Sequence, residues 1–176
     1  MAQERLYLTH GFGPVFDKSS QLLILGSFPS VKSREAAFFY GHPRNRFWQV
    51  LAAVFGDELP GTIGEKRAFL HRHGVALYDV IESCSIVGSS DSSIRDVVPA
   101  DLRPILSVGR IGDRIFTNGQ KASALYARYL YPVLGVAAHP LPSTSPANAA
   151  ASLQELIERW GAVLLPAADP DRDRQG

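Results

Sequence analysis

The run Leu22-Leu23-Ile24-Leu25-Gly26 constrains the fold more than any other segment. A strand made of uninterrupted apolar residues must be covered on both faces, and the closing glycine sets a tight loop directly after it. Such strands belong to sheets sandwiched between helices, and the chain supplies the helices. From Asn45 onward, Phe47, Val50, Leu51 and Val54 follow the i, i+3, i+4, i+7 spacing of an amphipathic helix, with Pro43 before its start and Gly56 beyond its end. Phe47 and Trp48 open its apolar face and are expected in the core.

A second helix is predicted from about Glu65 to Arg72, closed by Gly74, followed by a second buried strand from Val75 to Ile81. The serine- and glycine-rich stretch from Glu82 to Ser93 reads as loop, and Pro99 to Leu106 as a short helix. Arg114 to Thr117 reads as a short strand turning at Asn118-Gly119, with a helix over Gln120 to Leu130. Val133 to Ala138 reads as the fourth strand, and a long helix is predicted to start near Pro146 with Ser145 as its N-cap. Strands alternating with helices predict a three-layer α/β/α domain around a mainly parallel, four-stranded central sheet. At 176 residues one domain is expected over 1–168, and the polar, aperiodic Asp169 to Gly176 as a flexible tail.

Several function classes drop out. With 45% apolar and 20% charged residues the composition is that of a globular protein. The apolar runs fall far short of the roughly 18 residues of a membrane span, and the N-terminus lacks a secretory signal, so a cytoplasmic protein with no membrane partner is expected. The lone Cys84 reads as a small buried apolar residue, unable to form an internal disulfide or a thiolate metal site. His10, His42, His71, His73 and His139 have no zinc spacing, and no G-x-G-x-x-G, P-loop or G-x-S-x-G motif occurs. Neither metal nor cofactor is expected.

Ligands of parallel sheets gather at the carboxyl ends of the strands. Three loops qualify, after Gly26, at Asn118-Gly119 and from Pro140 to Pro146, and they should meet in one site. Their side chains are mostly uncharged: Ser27, Ser30, Asn118, Ser143, Ser145 and Asn148, with Asn45 and Asp79 nearby. Amides and hydroxyls suit the reading of hydrogen-bonding edges, and equally the capping of turns. Net charge is +1, but Lys32, Arg34, Arg44 and Arg46 face only Glu35 in one short stretch, a local basic patch.

The segment Gly26-Ser27-Phe28-Pro29-Ser30, followed by Tyr40-Gly41-His42-Pro43-Arg44-Asn45-Arg46-Phe47-Trp48, resembles motif 1 and the following helix of mismatch-specific uracil-DNA glycosylases. Leu141-Pro142-Ser143-Thr144-Ser145-Pro146-Ala147-Asn148 is similar to the other signature of that superfamily, a loop that enters the DNA minor groove. The matches span residues 22–148 in the expected order. Two positions depart from it: Phe28 stands where mismatch-specific relatives carry a water-positioning Asn, and Leu141 where strong uracil-excising relatives carry His. The pattern with these departures resembles the hypoxanthine-DNA glycosylase branch.

That resemblance implies a monofunctional, monomeric enzyme of base-excision repair that removes hypoxanthine from DNA containing a deaminated base. Uracil, xanthine or a G:U/T mismatch are the alternative substrates, and a catalytically silent damaged-DNA-binding domain the alternative role. Asn45 would orient the attacking water. Asn118 and the backbone around Phe28 would read the base, with Ser27 and Asp79 beside them and the Phe28 ring stacked on it. Ser30, Lys32, Arg44, Arg46, Ser143, Thr144, Ser145 and Asn148 would contact the DNA.

Overall fold

The apolar run around Ile24 forms an inner strand of a parallel sheet, and the helices on both sides follow from its need for cover. The computed structural model describes residues 4–88 and 91–165. Its strands are β1 (Arg5–Thr9), β2 (Leu22–Gly26), β3 (Val75–Asp79), β4 (Ile81–Val87), β5 (Arg95–Pro99), β6 (Ile115–Asn118) and β7 (His139–Leu141). The helices are α1 (Val31–Ala36), α2 (Phe47–Phe55), α3 (Ile63–Arg72), α4 (Arg103–Val108), α5 (Gln120–Tyr129), α6 (Tyr131–Leu134) and α7 (Leu153–Leu164). The expected tail, 169–176, lies outside the described residues.

The main sheet has the order β3-β2-β6-β7 and is parallel throughout, as the sequence predicted. Every residue of β2 and β3 is buried. Right-handed crossovers place α1 to α3, between β2 and β3, on one face. The chain then returns past β2 to reach β6, which puts α4 and α5 on the other face, while α7 packs on α2. This change of direction between the neighbours β2 and β6 opens a crevice at their carboxyl ends, beside Gly26 and Asn118. Phe47, Trp48 and Cys84 are buried as expected.

Three expectations are corrected. Glu82 to Val87, the first half of the expected loop, is strand: β4 runs through it, pairing antiparallel with β1 and β5 in a second sheet. Its serines disguise a largely buried strand, because Ser83 and Ser85 are buried yet bonded to the Tyr7 hydroxyl at 2.9 Å and to Asp96 Oδ2 at 2.8 Å. Val133 to Ala138 is not the fourth strand. Pro132 opens the short α6 and Gly135, at φ +69°, ends it, so the strand register against β6 is met by His139–Leu141 instead. The last helix starts at Leu153, capped by Ser152 accepting from the Glu155 amide at 3.1 Å, and not near Pro146.

Candidate active site

A cleft of about 1080 Å³ lies over the switch between β2 and β6. The three predicted loops meet there, bringing together Ser27, Phe28, Ser30, Asn45, Asp79, Asn118, Ser143, Thr144, Ser145 and Asn148. Lys32, Arg44 and Arg46 are not among its lining residues.

The loops are tied by side chains. Thr144, fully buried, donates from its backbone amide to Asn118 Oδ1 at 3.0 Å and accepts from Asn118 Nδ2 at its Oγ1, also at 3.0 Å. The same hydroxyl donates to Asn45 Oδ1 at 2.8 Å. Asn45 Oδ1 also accepts the Phe47 amide at 3.0 Å, which fixes the orientation of its side-chain amide and leaves the Nδ2 hydrogens as its remaining capacity. Gly119 makes the close approach possible: at φ +94° it donates its amide to Leu141 O at 2.9 Å, and a Cβ there would stand 3.0 Å from Ser143 Cβ.

Two DNA-contact expectations are corrected by these bonds. Thr144 is an internal strut with no exposed surface to offer a phosphate. Arg46 donates to the carbonyl oxygens of Ala151, Ser145 and Asn148 at 2.5, 3.1 and 3.0 Å. Those contacts hold residues 145–151 in turns, which is why the helix predicted from Pro146 cannot form there. Asn148 Nδ2 donates to Ser143 O and Ser145 Oγ accepts from Ala147 N–H, so both also shape the loop. Ser30 caps α1, accepting from the Ser33 amide.

The basic rim differs from the patch seen in the sequence. Lys32 is exposed and pairs with Glu35 at 3.4 Å, while Arg34 turns its Nε into the protein. The cations on the cleft itself are Lys121, next to the amino end of α5, and Arg159 on α7. The sequence carried a usable hint for Lys121, three residues past Asn118, but none for Arg159.

Two residues that sequence reasoning missed support the cleft, Tyr40 from its lining and His10 from behind Asp79. His10 is buried, stacked on Tyr78 at 4.5 Å, and its Nε2 meets Asp79 Oδ2 at 2.7 Å. Its Nδ1 faces the Phe12 carbonyl oxygen, to which it can only donate. Tyr40 stacks on Phe47 at 3.9 Å with its hydroxyl buried beside Gly26. Burial, then the nearby Asp79 charge, pushes the phenol well above its usual range, so it stays protonated; the Asn118 amide opposes this only in part.

No family model matches the chain. A hypoxanthine DNA glycosylase of Methanosarcina acetivorans is 33% identical over 158 residues, covering 89% of this chain and 98% of that protein. A second hypoxanthine DNA glycosylase, from Methanosarcina barkeri, is 37% identical over 87 residues, 49% of this chain and 55% of its own length. Among solved structures, a Methanosarcina acetivorans protein carrying the provisional name uracil DNA glycosylase superimposes with a TM-score of 0.73 at 32% identity, covering 90% of this chain and 97% of its own. Near-complete coverage at this identity, on the same fold, means that the chain belongs to the hypoxanthine DNA glycosylase family within the uracil-DNA glycosylase superfamily.

Proposed function

We propose that the protein is a monofunctional DNA glycosylase that hydrolyses the N-glycosidic bond of hypoxanthine in DNA. The observation that carries the reading is the chain Asn118–Thr144–Asn45, which ties two of the three loops to the start of α2 and leaves amide hydrogens free beside the cleft.

The C1′–N9 bond breaks with its electron pair going to the purine, and the sugar passes through an oxocarbenium-like state. Water adds at C1′ and gives up a proton, which ends on the departing purine anion and leaves a neutral base. No strong base is required against so electrophilic a carbon, only a water held in line, and Asn45 Nδ2 can hold it by donating to its oxygen. This refines the role expected of Asn45, whose carbonyl end is already committed twice. The departing anion lies near the amino end of α5, where Gly119 and Gln120 line the cleft and the helix dipole favours negative charge.

Asp79 is the acceptor for the N1–H of hypoxanthine, and His10 holds its Oδ2 in place. Phe28 supplies an aromatic wall for the base, and Ser27 stands beside it. Lys121, Arg159 and the exposed Arg44 serve phosphates, with Ser30, Ser143 and Ser145 on the strand between them. Incubation with duplexes containing deoxyinosine, deoxyuridine or deoxyxanthosine, scored for abasic sites, tests the reading. Release of hypoxanthine is expected. Excision of uracil alone overturns the substrate, and binding without release of any base overturns the activity.

A further inference from the structure

Tyr40 breaks two rules at once. It is a bulky residue at φ +53°, in the left-handed region that such side chains avoid. Its hydroxyl is also buried with no partner in hydrogen-bond geometry, although the Asn118 amide and the Asp79 carboxylate lie close by. Strained backbone and unsatisfied polar groups persist where a ligand completes the arrangement. The residue lines the cleft, and its ring is fixed by stacking on Phe47 at an interplanar angle of 19°, so the position of the hydroxyl is set before anything binds. Gly26 leaves the space: a Cβ there would overlap Asp79 Oδ1 and stand 3.1 Å from the Tyr40 oxygen.

Deamination replaces the amino group at C6 of adenine with a carbonyl oxygen and puts a hydrogen on N1. The edge changes from donor-and-acceptor to acceptor-and-donor. A phenol O–H beside a carboxylate presents the complement of the deaminated edge. We propose that Tyr40 is a specificity-determining residue whose hydroxyl donates to the C6 carbonyl oxygen of the extruded base while Asp79 accepts from N1–H. The inference rests on the glycosylase reading above. The bond strengthens as the base becomes an anion, because negative charge collects partly on that oxygen, so it acts on the rate as well as on selection.

The test compares wild type with Tyr40→Phe, which keeps the ring and its stacking, on duplexes containing deoxyinosine or 2′-deoxynebularine, a purine nucleoside without the C6 oxygen. Tyr40→Phe should slow single-turnover hypoxanthine release by about 10- to 100-fold, the range for losing one bond to a charged group. Release of unsubstituted purine should be unchanged, as should affinity for an abasic-site duplex. Equal slowing on both substrates means that Tyr40 is only structural and overturns the inference while leaving the activity intact. So does an unchanged ratio with no slowing. Failure of the wild type to release hypoxanthine at all removes the glycosylase reading and this inference together.

Discussion

Thr144 Oγ1 donates to Asn45 Oδ1 at 2.8 Å across 99 residues of sequence. Through this bond the third loop sets the orientation of the amide that faces the cleft, and several expected outcomes depend on it.

Thr144→Val keeps the shape and removes the hydroxyl. One Asn118 Nδ2 hydrogen then loses its acceptor and Asn45 Oδ1 loses one of two donors. Stability should fall by about 1–3 kcal/mol, the range for leaving a buried polar group unpaired. Hypoxanthine release should slow, and Thr144→Ser should restore both. Urea unfolding and single-turnover assays check the pair of effects.

Asn45→Ala should lower the rate of base release by about 10²–10³, comparable to removing one positioned donor from an active site. Affinity for an abasic-site duplex should change little. Asn45→Asp should also be slow, since a carboxylate cannot donate to the water. Single-turnover rates and fluorescence anisotropy separate the two effects.

Gly26→Ala should be the most damaging single methyl in the cleft, because Asp79 Oδ1 lies where the new Cβ must go. Overpacking of this kind costs about 1–3 kcal/mol. Thermal unfolding should report that loss, and release of base should fall as Asp79 and Tyr40 are displaced.

Lys121→Ala and Arg159→Ala should weaken DNA binding and each reduce the slope of log K against log salt by about 1, as expected for a lost phosphate contact. Arg46→Ala should also weaken binding, by loosening residues 145–151, yet leave the slope unchanged because its guanidinium is directed at carbonyl oxygens. Binding titrations at several salt concentrations distinguish the two classes.

Asp57 joins the ends of α2 and α3, and its bonds to His73 and then Arg72 hold its carboxyl well below the usual range. A depressed folded-state pKa stabilises above the ordinary carboxylate value near 3.9 and is lost as pH falls below it. The Tm gap between wild type and Asp57→Asn should therefore be full at neutral pH and shrink on acidification below about pH 4.

The parallel sheet, the helix over Phe47–Phe55, the meeting of three strand-end loops, and the placement of Asn45, Asn118 and Ser143 around one cleft were all legible in the order of residues. Those features are local: an apolar run, a helical period and a glycine in its place act wherever the rest of the chain goes. The antiparallel sheet was illegible because β4 satisfies its serines through partners some 76 and 11 residues away. Long-range packing made struts of Arg46 and Thr144 and put Lys121 and Arg159 on the cleft in place of Lys32. It alone placed His10 beneath Asp79 and the Tyr40 hydroxyl against Gly26. What a polar side chain does depends on which donors and acceptors reach it, and packing between distant segments decides that, not the residue's own neighbours in the chain.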